Sequence, residues 1–127
     1  MKPGTKLEHE ELTNKIIGYA IEVHKKLGPG FIESIYENAF IVELQKKGIQ
    51  FERQKEVVIE YDGVDVGKHR LDLIIVDTIV VELKAVKSIE DIHFVIVRSY
   101  LKALGKAHGL LINFSKKVLE IKRVIFK

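Results

Sequence analysis

Arg70-Leu71-Asp72-Leu73-Ile74-Ile75-Val76-Asp77-Thr78-Ile79-Val80-Val81-Glu82-Leu83-Lys84 decides the reading of this chain. Two aliphatic runs flank Asp77-Thr78, a turn signal, so the stretch predicts two antiparallel strands joined there. Three polar residues break the apolar pattern. Asp72 interrupts the first strand, while Glu82 and Lys84 stand two apart and project from one face of the second. If the turn centres on Asp77, opposed residues have numbers summing to 154, which sets Asp72 against Glu82. Directly opposed cross-strand residues have Cβ atoms about 5 Å apart. A slip of one residue in register would separate them.

Two carboxylates so close repel, and in an apolar setting they are costly unless something positive joins them. A divalent cation is the economical answer. Magnesium takes one or two protein carboxylates with waters and substrate phosphate oxygens. Lys84 beside the pair would then orient or deprotonate an attacking water, or stabilise charge developing at phosphorus. The alternative is an ordinary salt-bridged cluster of Asp72, Glu82 and Lys84 at a sheet edge.

Outward from this hairpin the pattern changes period. Upstream, Val57, Ile59 and Tyr61 alternate with charged residues before Asp62-Gly63, a strong hairpin signal that returns as Val64 to Ile75. Before them, Leu12, Ile16, Tyr19, Ala20, Val23 and Leu27 recur at spacings of three and four, predicting a helix from about Glu8 to Leu27. It stops at Gly28-Pro29-Gly30. A second helix spans about Ile32 to Lys47, closed by Gly48. Downstream, Ser88 with Asp91 resembles a capping box opening a helix from about Ile89 to Leu104. Gly109 to Phe114 reads as a buried strand, and Val118 to Phe126 as an edge strand. The order ααβββαββ predicts an α/β (α+β) fold, a mixed central sheet flanked by helices, with residues 1–127 as a single domain.

Composition narrows the chemistry. The chain has 127 residues, 46% hydrophobic and 31% charged, so it is neither disordered nor fibrous. Zero cysteines exclude a disulfide scaffold, a thiol nucleophile and cysteine-ligated zinc. The longest aliphatic run is far too short for a membrane span, and the start shows no secretory signal, so a soluble cytoplasmic protein is expected. The net charge of +3 conceals a division. Residues 1–47 carry 7 basic and 7 acidic side chains, residues 48–84 carry 5 and 8, and residues 85–127 carry 9 and 3. An acidic middle beside a basic tail suits a cation held near a phosphate backbone, and equally a solvated surface.

The quoted residues resemble a known pattern. Asp72 followed by Glu82-Leu83-Lys84 resembles the Asp…(Asp/Glu)-x-Lys signature of the PD-(D/E)xK nuclease superfamily. Gly30-Phe31-Ile32-Glu33-Ser34-Ile35-Tyr36 is similar to the motif that names the GxxExxY family within it. Ala20 to His24, Leu27 to Gly30, Arg70 to Leu73, Val81 to Ala85 and Gly109 to Phe114 fit as well, so the likeness runs from about Leu12 to Val124. It implies a restriction-endonuclease-like fold and a metal-dependent nuclease acting on nucleic acid, DNA above all. Asp72 and Glu82 would be ligands of magnesium or manganese, Lys84 the catalytic lysine, and Glu33 a further acid of the metal site, as in RecB-like nucleases. Glu33 is explained equally by the helix dipole.

Related nucleases usually carry a glutamine four residues before a tyrosine on the helix after the acid-x-lysine strand. Here the tyrosine is Tyr100, a candidate substrate contact, but Ile96 fills the glutamine position. The apolar segment Ile92 to Val97 suggests a face packed against a partner chain, a possible homodimer. That departure favours the alternative of a non-catalytic module that binds nucleic acid or protein. Among the remaining candidates, Arg70 would contact phosphate or pair with an acid, and His24 would touch the site from the first helix. The five histidines form no pair at metal-ligand spacing. Lys116, Lys117, Lys122, Arg123 and Lys127 make either a weak nucleic-acid surface or the lysine guard of an edge strand.

Overall fold

The computed structural model describes residues 6–127; Met1 to Thr5, read above as free of a secretory signal, lie outside them. The elements are α1 (Lys6–Leu27), α2 (Glu33–Lys46), β1 (Phe51–Tyr61), β2 (Val64–Ile75), β3 (Ile79–Lys84), α3 (Asp91–Leu104), β4 (His108–Asn113) and β5 (Glu120–Ile125). The predicted order and the mixed α+β class both hold. No helix among the described residues is long and apolar enough to cross a membrane.

The strands form one sheet in the order β1-β2-β3-β4-β5. Only β3 and β4 run parallel, because α3 carries the chain across between them. β3 is therefore central, and its Ile79 to Leu83 are all buried. Two apolar layers sandwich the sheet. Ile16, Ala20, Tyr36 and Phe40 of α1 and α2 pack on one face with Leu73, Ile75 and Val81. Val97, Tyr100 and Leu101 of α3 pack on the other with Leu71, Val80 and Leu111.

Close packing of α3 depends on one glycine. A Cβ at Gly109 would stand 2.8 Å from Val97 Cγ1, and valine is too stiff at χ1 to yield. Gly109→Ala is expected to destabilise the protein by about 1–3 kcal/mol, read as a lower denaturation midpoint at unchanged m-value.

Three boundaries differ from the sequence reading. β1 starts at Phe51 rather than near Val57; Glu52, Arg53 and Gln54 are exposed on an edge strand and give no apolar alternation. α3 is entered at Glu90, whose N–H donates to His93 Nδ1 at 2.9 Å, rather than at Ser88. β5 begins at Glu120 rather than Val118. The decisive turn lies where expected, with Leu73 opposite Val81 and Ile75 opposite Ile79. Val76 and Asp77 are left-handed there, at φ 51° and 50°. That conformation is uncommon for a β-branched residue, and the Val76 N–H is anchored on Gln50 O at 2.9 Å.

The β1–β2 hairpin also changes faces along its length. Regular alternation would leave Phe51, Val57 and Ile59 on one side, and likewise Leu71, Leu73 and Ile75. Instead Phe51, Leu73 and Ile75 pack toward α1 and α2, whereas Val57, Ile59 and Leu71 pack toward α3. The reversal falls at Asp72 on β2 and between Arg53 and Val57 on β1. Gln54, opposite Asp72 between the pairs Arg53–Leu73 and Lys55–Leu71, is left-handed at φ 51°.

Candidate active site

The β2–β3 ladder ends at Leu73–Val81, one pair before Asp72 and Glu82. Beyond it the two carboxylates replace the backbone bonds. Glu82 Oε1 accepts the Asp72 N–H at 2.9 Å, and Asp72 Oδ2 accepts the Leu83 N–H at 2.9 Å. Each acid thus has one oxygen fixed to the neighbouring strand. No described residue bonds to the other two oxygens, Asp72 Oδ1 and Glu82 Oε2.

Burial and repulsion mark both acids. Asp72 is half-buried, and its pKa rises from 3.8 to about 6, chiefly through desolvation, with further repulsion from Glu37 and Glu33. Glu82 is buried, and its pKa rises from 4.5 to about 8, through desolvation first and the Asp72 charge second. Backbone N–H bonds and the Lys84 charge pull both values down without prevailing. The Lys84 ammonium makes no hydrogen bond or ion pair with any described residue. Tyr100, on α3, borders the pair: desolvation and the charges of Glu82 and Asp72 push its hydroxyl up to about 12.

This donor set fits a hard divalent cation. It offers two carboxylates, each with an uncommitted oxygen, in a site whose excess negative charge a cation would relieve. No cluster of three or more His, Asp or Glu side chains placed to hold a metal forms among the described residues. Glu33, exposed on the first turn of α2, acts on Asp72 and Glu82 through its charge. The structure therefore shows two converging carboxylates where the sequence reading expected three.

The model of the PD-(D/E)XK nuclease superfamily matches residues 10–124. The chain belongs to the PD-(D/E)XK nuclease superfamily. Among solved structures, it is similar to the crystal structure of SSO0001, with 22% identity and a TM-score of 0.59. The match covers 72% of this chain and 48% of that one, so this chain spans about half the length of its neighbour. That likeness shows the shared fold. A search of curated proteins gives no match.

Within this superfamily member the other candidates fall in different places. Arg70 is exposed on β2, its guanidinium 3.7 Å from Glu56. Its carbonyl faces the Tyr100 hydroxyl at 3.4 Å. His24 bonds to Lys116 O at 2.8 Å and lies beside Phe114, and among the described residues it makes no hydrogen bond or ion pair with Asp72, Glu82 or Lys84. Tyr36 is a core aromatic stacked on Phe114 at 4.5 Å. Its hydroxyl also ties the glycine-rich turn, donating to Gly28 O at 2.6 Å. Phe94 and Ile96 pack against the α3-side core, which accounts for their apolar character. Ile92 and Val95 remain exposed.

Sequence reading passed over Glu37, Gln54 and Asn113. Glu37 lies four residues after Glu33 and so on the same helical face, a spacing that would have flagged it. Asn113 is fully buried at the end of β4, where an amide in an aliphatic strand was the available signal.

Proposed function

We propose that this protein is a divalent-metal-dependent nuclease, one domain over residues 1–127, that hydrolyses phosphodiester bonds of nucleic acid, with DNA as its principal substrate. One observation carries the reading: two repelling carboxylates withdrawn from water on adjacent strands, each with an uncommitted oxygen, within the field of the Lys84 charge. Perturbed acids gathered in this way are characteristic of catalytic sites.

Asp72 and Glu82 would hold magnesium or manganese, and Glu33 would add negative charge from α2. The metal, when bound, lowers the pKa of water and neutralises charge on the phosphate. Lys84 follows Glu82 on the same strand face. Its ammonium orients the attacking water or stabilises the charge that develops on the phosphoryl oxygens. Arg70, exposed two residues before Asp72, contacts a substrate phosphate, and Tyr100 closes the α3 side. The narrower GxxExxY assignment is supported by Gly30, Glu33 and Tyr36 standing in that motif's order.

The test incubates purified protein with DNA and RNA oligonucleotides in magnesium, manganese or EDTA. Metal-dependent cleavage is expected, with Lys84→Ala slowing it by roughly 10²–10³-fold. Cleavage by Lys84→Ala at the wild-type rate defeats the mechanism. A non-catalytic binding module is the second reading, favoured by Ile96 packing against the α3-side core at the position where related nucleases carry a glutamine. It predicts oligonucleotide binding with no metal-induced rise in melting temperature.

A further inference from the structure

We infer that Glu37 is a positioning residue of the acidic centre, acting through Arg53 and Gln54 on the reversal that places Asp72. The inference rests on the reading of Asp72 as a metal ligand.

Glu37 is buried on α2. Both its carboxylate oxygens are taken by neighbours on β1. Arg53 Nη2 donates to Oε2 at 2.7 Å, and Gln54 Nε2 donates to Oε1 at 2.9 Å. Arg53 also donates to Asn38 Oδ1 at 2.8 Å, so one guanidinium grips consecutive residues of the helix. The two β1 residues that Glu37 holds are the last two before the strand has changed faces. Gln54 is the left-handed one, and it stands opposite Asp72. Non-glycine residues enter that region at a steric cost and persist there when their surroundings hold them. The Glu37 carboxylate supplies that hold.

The consequence reaches Asp72 through the strand pair. With β1 reversed at Gln54, β2 reverses at its partner, and the Asp72 carboxylate turns across the strand gap onto the Leu83 N–H. A regularly alternating β2 would leave Leu71 on the α1–α2 face, away from the α3-side core it now joins. Glu37 thus orients the ligand from outside the metal site, itself fixed by Arg53 and Gln54. Residues that orient ligands in this way typically alter metal affinity by 10–100-fold when removed.

The experiment compares wild type with Glu37→Ala, Gln54→Ala, the double variant and a control, Glu43→Ala. Glu43 is another buried acid of α2, and its partner is Lys46. Two readouts are taken: amide hydrogen exchange at Asp72 and Leu83 in the metal-free protein, and manganese affinity by calorimetric titration. Glu37→Ala and Gln54→Ala are each expected to speed exchange at those two amides by about tenfold and to weaken manganese by roughly 10–100-fold. The double variant should lose little beyond Glu37→Ala, which already breaks the Gln54 link. Glu43→Ala should lower the melting temperature and leave both readouts unchanged. Gln54 is exposed, so Gln54→Ala, which keeps the steric cost and removes only the Nε2 donor, folds even if Glu37→Ala does not. Unchanged exchange and manganese affinity in folded Gln54→Ala overturn the inference. If wild type binds no manganese, the metal reading falls, and the exchange rates alone decide the role of Glu37.

Discussion

Asp72→Asn is expected to abolish cleavage while raising the melting temperature of the metal-free protein at pH 8. The two effects share one cause. In the wild type, burial and mutual repulsion raise the Asp72 and Glu82 pKa values to about 6 and about 8, above their ordinary 3.8 and 4.5. The folded chain therefore holds protons that the unfolded chain has released. Stability from this source is complete below the ordinary values and is lost as pH climbs through 6 and then 8. Asparagine carries no charge, and its amide oxygen can still accept the Leu83 N–H that Asp72 Oδ2 accepts. The variant keeps the bond and loses the repulsion. Its melting temperature should match the wild type near pH 4 and exceed it increasingly toward pH 8. Manganese should raise the wild-type melting temperature by mass action and leave the variant unmoved. Cleavage should drop by at least roughly 10²–10³-fold. A variant that melts below wild type at pH 8, or that cuts normally, contradicts the account.

Asn113→Ala is expected to be the most damaging single change to stability. The Asn113 amide is fully buried and imitates a missing strand neighbour. Its Oδ1 accepts the Val86 N–H at 3.0 Å and the Ser115 N–H at 3.2 Å. Its Nδ2 donates to Val86 O at 2.8 Å and Glu120 Oε1 at 3.1 Å. Alanine strands several of these groups, at roughly 1–3 kcal/mol for each that stays buried. A loss of about 3 kcal/mol corresponds to a melting temperature roughly 10–15 °C lower. The effect should also reach activity, since Val86 follows Lys84 by two residues and Lys84 O accepts the Phe114 N–H next to Asn113. The Glu120 carboxyl, held below its usual value first by the Asn113 side chain, should titrate higher in the variant. An unchanged melting temperature would show that the amide is dispensable.

The hairpin that carries the site was legible because it is local. The turn at Asp77 sets the register, and the register sets Asp72 against Glu82 without any knowledge of the rest of the fold. α1 and α2 were legible from helical periodicity, and the glycine at each end marks where they stop. The first half of β1 was not. Glu52 to Glu56 lie on an exposed edge, where no apolar pattern is required. The reversal at Gln54 and Asp72 was equally hidden, because it arises from which helix each strand half packs against. That is a tertiary fact, and it is also why Glu37 escaped notice while its neighbour Glu33 did not. The apolar segment Ile92 to Val97 suggested a partner chain because the sequence does not show that Phe94 and Ile96 pack against the protein's own α3-side core.

The single parallel pairing in the sheet, β3 with β4, has a consequence for the order of folding. The β2–β3 hairpin closes a short loop, whereas Ile79 meets His108 only after all of α3 has crossed over. Local hairpins form in microseconds, and pairing across a long connection is slower. Asp72 and Glu82 thus face each other within a local hairpin, whereas Tyr100 of α3 reaches their border only through the long connection. A pair set by a short turn and enclosed by distant segments ties the electrostatics of the site to completion of the whole fold.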